Sequence, residues 1–398
     1  MSGNRSMTAS TTTQPSRKMS ALEKAFLGVT INQVPSLLPG LLVAILLAWL
    51  STWLSDWTGE TLLGFDKTPV SAVMLAILLG LIISAVMPMP RLLRPGLSFA
   101  VKKVLRLGII LLGIRLTIFD VFRLGVYGVP IVLFCIVGAL FITTRLNNWL
   151  QLPDRLGALI AVGTSICGVS AIVATGPAID AEEEEVAYAV AVITIFGLAA
   201  TMVYPYLAHA IFGGETLNAG LFLGTSVHDT SQVVGAAAVY ADVFSAPRAL
   251  DVATVTKLVR NVFMAIVIPL MAFYYSRRAQ KQGEFARTGT DILRLLPLFV
   301  VGFLALAAIR SIGDAGINAG GAAFGLWDSE TWQGIVGSIK TWAETLMVVA
   351  LAAVGLSTNF RAFKGLGTKP FLVGLAAALV VGIVSYIAIY LLGSLVAL

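Results

Sequence analysis

Charge is what this sequence has least of. Asp, Glu, Lys and Arg make up 12% of its 398 residues against 58% hydrophobic ones, and the mean hydropathy is +0.90. A soluble domain carries about 25% charged residues, so an ordinary water-facing surface is excluded. Histidine and cysteine are scarce too, at two each. Cys135 and Cys167 sit far apart inside apolar stretches, and there is no CxxC or HExxH pattern. Neither a disulfide framework, nor a metal site, nor a cofactor is therefore expected. The net charge of +6 does not point to nucleic acid, because the basic residues cluster in short loops between apolar runs. There they act as topology signals.

What is present is long apolar runs. Counting stretches of about 18 or more mostly apolar residues places helices near 36–54, 69–88, 97–117, 124–144, 156–177, 185–208, 217–240, 250–275, 291–310, 332–356 and 370–397. The expected fold is an all-α polytopic membrane protein of about 11 segments. Residues 1–25 are polar, Ser/Thr-rich at their start and without periodicity, which predicts a disordered cytoplasmic tail; 26–398 form one integral membrane domain. The first apolar run is too long for the core of a signal peptide. Basic residues gather in the tail and in the loops holding Arg91/Arg94, Arg145/Arg155, Arg277/Arg278/Lys281/Arg287 and Arg361/Lys364/Lys369, so the N-terminus is placed inside and the C-terminus outside.

Two of these segments are interrupted by related stretches. GTSICGVSAIV (Gly163–Val173) and GTSVHDTSQVV (Gly224–Val234) share Gly163/Gly224, Thr164/Thr225, Ser165/Ser226, Ser170/Ser231 and Val173/Val234 in register. Each sets glycines and hydroxyls at membrane depth. A helix that unwinds there frees N–H and C=O groups that lipid cannot satisfy, and paired interruptions point to a carrier's binding site. Gly163 and Gly168 permit unwinding, and Thr164, Ser165 and Ser170 bring hydroxyls. The competing reading is close helix packing by small residues, which also fits Cys167. Crossing segments would run the motifs in the same direction, whereas re-entrant hairpins would invert them. Loops 178–184 and 209–216 hold no Lys or Arg, so charge does not decide. A second echo, Gly113–Pro130 with Gly355–Pro370, places Phe119/Phe122/Arg123 and Phe360/Phe363/Lys364 in loops between a Gly and a Pro. This points to an inverted repeat, unless helix ends simply favour those residues.

Ionisable residues inside a span default to function. His228 and Asp229 lie mid-segment, and histidine titrates nearest neutrality, so the two form a candidate proton-coupling pair; a structural polar pair is the alternative. Thr230, Ser231 and Gln232 extend the polar surface. Lys257 and Arg260, followed by Asn261, share a helix face. They either snorkel to the interface or give a positive lobe for an anion. Lys340 and Glu344 are spaced for a structural ion pair, His209 is expected at an interface, and Lys102, Lys103 and Arg106 are expected as anchors.

The run CGVSAIVATGPAI (Cys167–Ile179) with the Glu-rich stretch after it, then GTSVHDTSQVVGAA (Gly224–Ala237) and Lys257-x-x-Arg260-Asn261, resembles a family of conserved bacterial membrane proteins described as sulfate exporters. The resemblance spans about residues 25–398. It implies a secondary transporter similar in broad fold to the cation/proton antiporter and bile-acid symporter superfamily, with discontinuous helices meeting at mid-membrane and, as in similar folds, a homodimer. The expected function is export of a small oxyanion or organosulfonate across the bacterial inner membrane, coupled to protons or to the membrane potential. The proposed site is Gly163, Thr164, Ser165, Cys167, Gly168, Ser170, Gly224, Thr225, Ser226, His228, Asp229, Thr230, Ser231, Gln232, Lys257 and Arg260. A sodium or cation/proton antiporter is the alternative, with Asp229 and Glu344 as ligands. Outside transport, an intramembrane enzyme built on Ser170 or Ser231 with His228 lacks a G-x-S-x-G signature, and a scaffold would tolerate loss of the motif hydroxyls.

Overall fold

The computed structural model describes residues 29–58, 71–281, 298–358 and 368–393. The expected N-terminal tail and the second Phe-x-x-Phe loop, Phe360 to Lys364, lie outside these. Among the described residues every regular element is helical apart from an isolated bridge between Ala323 and Trp327. In chain order the α-helices are α1 (Leu38–Asp56), α2 (Ala72–Val86), α3 (Arg94–Phe99), α4 (Leu105–Leu112), α5 (Ile118–Leu150), α6 (Asp154–Ser165), α7 (Val169–Thr175) and α8 (Glu183–Phe212). They continue as α9 (Thr216–Ser226), α10 (Thr230–Val243), α11 (Pro247–Val262), α12 (Met264–Lys281), α13 (Leu298–Asn318), α14 (Ser329–Ser357) and α15 (Thr368–Leu392). Seven described stretches are long and apolar enough to cross a bilayer: Ile31–Asp56, Ile118–Leu150, Glu183–Phe212, Pro247–Tyr275, Leu298–Asn318, Ser329–Ser357 and Lys369–Leu392. Their outward faces carry Leu46, Trp49, Phe141 and Ile266, apolar side chains left exposed to be covered by lipid.

Packing sorts the helices into two groups. In the first, α2 and α14 run side by side, with α1, α3, α4 and α13 around them. Gly80 and Gly355 permit that approach: a Cβ at Gly80 would lie 2.8 Å from the Leu356 nitrogen and 2.9 Å from the Ala352 oxygen. In the second, α15 packs along α5, and both surround α6 to α12. Between the groups the principal contacts are α10 with α2 and α14, and α13 with α5.

Several boundaries differ from the sequence reading, α13 for instance running on to Asn318 past the expected end near 310, and two differences have a local cause. α5 begins at Ile118, because Thr117 and Asp120 form a reciprocal capping box that starts a helix there. Phe119, Phe122 and Arg123 therefore lie on its first turns and not in a loop, and Pro130 lies inside α5 without restarting it. The third expected segment is broken by a π-helical turn at Ala100–Val104, which bears Lys102 and Lys103.

Candidate functional site

Both motif segments break where the sequence repeats. α6 ends at Ser165 and α7 starts at Val169; α9 ends at Ser226 and α10 starts at Thr230. The twelve residues of α6 span about 18 Å at 1.5 Å per residue, roughly half of a ~30 Å hydrocarbon core. The helix before each break is thus about half as long as a bilayer's hydrocarbon core is thick.

The direction of each half follows from its neighbours. A side chain at Gly220 would meet Ala249 and Val252, and one at Gly224 would meet Ala253 and Thr256, so α9 and α11 run in the same direction. Going back, α10 follows α8: Thr201 Oγ1 donates to Gln232 O at 3.3 Å, and further along Tyr240 and Phe244 pack on His209. Glu215–Leu217 and Ser245–Arg248 accordingly line one open cavity of about 470 Å³ at the end where α8 stops. The segment is a hairpin that dips in and returns. α6 and α7 do the same from the opposite end. Gly163 faces Ile172 across the fold, Gly176 faces Val186 at the start of α8, and Leu152, Leu156 and Ile179 share one apolar cluster.

The hairpin tips touch. Gly168 sits at φ +64°, and a Cβ there would come within 3.0 Å of Asp229 Cα, so this is a place where only glycine fits both the backbone and the space. Across this junction lies α11. Lys257 Nζ donates to Ile166 O at 2.9 Å, to Val227 O at 3.2 Å and to His228 O. Arg260 Nε donates to Ser165 O at 2.7 Å, its Nη1 to Thr225 O at 2.7 Å and Val227 O at 3.2 Å, and its Nη2 to Thr164 O. Both side chains are fully buried. Each half-helix C-terminus carries roughly −0.5 of a charge and carbonyls with no intrahelical donor. The two cations supply donors and counter-charge to both ends at once. Snorkelling to an interface is therefore not what this face does.

α10 is capped from within. Asp229 Oδ1 accepts from Ser231 N at 2.9 Å and Ser231 Oγ at 2.6 Å, while Asp229 N donates to Gln232 Oε1 at 3.2 Å. Gln232 Nε2 in turn reaches Thr194 O, 3.2 Å away. The positive end of α10 thus already holds a carboxylate. Thr164, Ser165, Thr225 and Ser226 are fully buried, and each hydroxyl donates to a carbonyl four residues back in its own helix. Cys167 is buried with its sulfur 2.9 Å from Met264 Sδ, as a small packing residue would be. Ser170 is exposed, and Asp229 and Thr230 are half-buried. His228 is fully buried, with no partner for either ring nitrogen. Asn261 Nδ2 donates to Thr230 Oγ1 at 3.2 Å, and its buried Oδ1 has no partner.

The sequence reading missed Ser385, whose hydroxyl lies 2.5 Å from Thr225 Oγ1. A lone serine in the apolar run VVGIVSYIAIY was the available signal. Glu344 does not pair with Lys340: Arg115 Nη1 meets Glu344 Oε1 at 2.9 Å, and Arg115 Nε meets Asp251 Oδ1 at 2.6 Å. Among the described residues no group of three His, Cys, Asp or Glu is placed to hold a metal.

Residues 39–374 match the family Conserved hypothetical protein 698. The chain belongs to this family. Its curated relatives include a UPF0324 membrane protein of Bacillus cereus, 31% identical over 319 residues that cover 80% of this chain and 86% of the relative. Another, from Fusobacterium nucleatum, is 30% identical over 310 residues, covering 78% and 87%. A third, from Streptococcus mutans, is 30% identical over 332 residues, covering 83% and 93%. The family region contains both hairpins and α11.

Proposed function

We propose that the chain is a secondary carrier for a small anion, an oxyanion or organosulfonate, working by transport and not by catalysis. The observation that carries this reading is the junction of two half-depth hairpins around Lys257 and Arg260. The partial charges of two helix C-termini are offset by those of the two N-termini facing them. What is left is two buried cations against one carboxylate, Asp229. A site with a positive excess that is enclosed in apolar protein favours a negatively charged guest. Ser170, Asp229 and Thr230, polar motif residues that keep some exposure, are its rim. Broken helices of this kind line the sites of carriers that rock one bundle against another.

In this reading the membrane topology is nine crossings and two re-entrant hairpins, in place of eleven crossings, and the hairpins are inverted relatives about α8. The basic loops lie on the cytoplasmic face of the bacterial inner membrane, with the N-terminus inside, and two copies pair as a dimer. His228, buried beside Lys257 and Arg260, carries the coupling proton together with Asp229, a charge that its two cationic neighbours oppose until an anion is bound. A specific observation favours a second reading: the free Asn261 Oδ1 beside Thr230 and the Asp229 carboxylate are oxygens that suit a sodium ion.

Proteoliposomes with an imposed pH gradient separate these readings, with sulfate, sulfite, an aminosulfonate and sodium tested one at a time. Anion flux supports the proposal, and flux of sodium alone replaces it with the antiporter. His228→Ala is expected to abolish the pH dependence of flux while the protein still inserts; unchanged pH dependence removes the proton role.

A further inference from the structure

Among the described residues, the polar ties between the two helix groups gather at one end of the molecule. Arg115, at the end of the α4 segment, donates from Nε to Asp251 of α11, from Nη1 to Glu344 of α14 and, at 3.4 Å, from Nη2 to Pro247 O. Asp251 and Pro247 belong to the group that holds the hairpins; Arg115 and Glu344 belong to the other. Ser71 Oγ, at the start of α2, donates to Asp242 Oδ2 of α10 at 2.6 Å. Ile118 N at the start of α5 donates to Ser311 Oγ of α13 at 2.7 Å, and Tyr206 OH of α8 to Met74 Sδ of α2 at 3.2 Å. The residues concerned lie where α8 and α10 stop and where α2, α5 and α11 start, the end opposite the basic loops.

We infer that Arg115, bridging Asp251 and Glu344, together with the Ser71–Asp242 bond, is a latch that holds the two helix groups shut at the end away from the basic loops.

Its chemistry suits a latch better than a permanent joint. The Arg115 and Asp251 side chains are 10% and 15% exposed, so water and salt screen their attraction weakly. Glu344 is 56% exposed and can keep hold of the guanidinium or rehydrate. Arg115 therefore has partners on both sides of the interface, and on opening it stays with Glu344 on its own side while Asp251 and the Pro247 carbonyl meet water. The close helix approaches between the groups are by contrast limited mainly to α10 with α2 and α14 and to α13 with α5, along a seam that shares one apolar core. Breaking a handful of directional bonds then changes which end is open.

The inference rests on the carrier reading for its purpose but not for its test. Cys135 and Cys167 are replaced by alanine, and spin labels are attached at two pairs of exposed sites: Glu215→Cys with Gln333→Cys at the latched end, and Glu184→Cys with Leu92→Cys at the other. Distances are measured on the full chain in lipid nanodiscs. Arg115→Gln is expected to add a longer population at the first pair and to shorten the second. The double variant Arg115→Gln with Asp251→Asn leaves no buried charge unpaired, so it folds if the single one does not, and it is expected to show the same shift. Ser71→Ala should give a smaller shift of the same sign. Unchanged distributions at both pairs in the double variant would overturn the latch. If the distances shift while no solute crosses proteoliposomes, the latch stands and the carrier reading fails; if solute crosses while the distances stay fixed, the reverse holds.

Discussion

Lys257 and Arg260 show how a charge becomes tolerable in an apolar core. A buried ion without partners costs several kcal/mol, yet here each N–H that points inward meets a carbonyl left over at a helix end. Replacing Lys257 by Met keeps length and removes all three donors. Each buried carbonyl that loses its partner costs about 1–3 kcal/mol, so Lys257→Met should lower the melting temperature in detergent markedly. Arg260→Lys keeps the charge but loses the fork that reaches both hairpins, and an intermediate loss is expected. Wild-type melting in Lys257→Met would show that α11 does not hold the tips.

At the surface the same chemistry acts in miniature. Asp328 caps α14, accepting from Thr331 N at 2.8 Å. Hydrogen bonding from Thr331, side chain first and backbone second, holds its carboxyl below the usual carboxylate range. The stabilisation is complete above the unfolded value, about 3.9, and is lost as pH falls through the lower folded one. The stability gap between wild type and Asp328→Leu, read by thermal unfolding at several pH values, should therefore close on acidification. A gap that is constant with pH would show that the carboxylate charge is not what caps the helix.

On the scale of elements, the breaks were legible and their direction was not. The shared Gly-Thr-Ser of the two motifs marks α6 and α9 just before each interruption, and both interruptions fall within three residues of those triplets. Whether a broken helix continues or turns back depends on which neighbour it lies against. That is set by Gly220 and Gly224 packing on α11, contacts between residues far apart in sequence. The cations were legible as a shared face, but their targets were not, because backbone carbonyls carry no sequence signature. The start of α5 was misplaced for a local reason, the Thr117–Asp120 box overriding the pull of the apolar pattern further on. Close approach of α2 and α14 gives a prediction at this scale. Gly80→Leu has backbone on the far side and overpacks by about 1–3 kcal/mol or more, and should be read as lost monodispersity. Gly128→Ala in α5, where a Cβ meets nothing within 4 Å, should be neutral or stabilising.

Across the whole molecule, one group of helices holds both hairpins and the cations, and the other approaches it mainly at α10 and α13. On the proposed carrier reading, this division makes rigid-body motion the economical way to expose the rim to one side and then the other. It also separates the tests. Site variants such as His228→Ala should change flux without moving the groups, and latch variants should move the groups with the hairpin tips intact.

The bond from Lys257 to Ile166 spans 91 residues of chain. The first hairpin must therefore leave the ribosome and enter the bilayer well before its counter-ion is made. On the proposed topology, which opens the first hairpin to the cytoplasm, nascent chains ending ahead of Pro247 should keep it open to cytoplasmic protease, and those extending past α12 should protect it. Biogenesis of this protein thus turns on an element that arrives late, so a defect in α11 would first be seen as turnover of the newly made polypeptide.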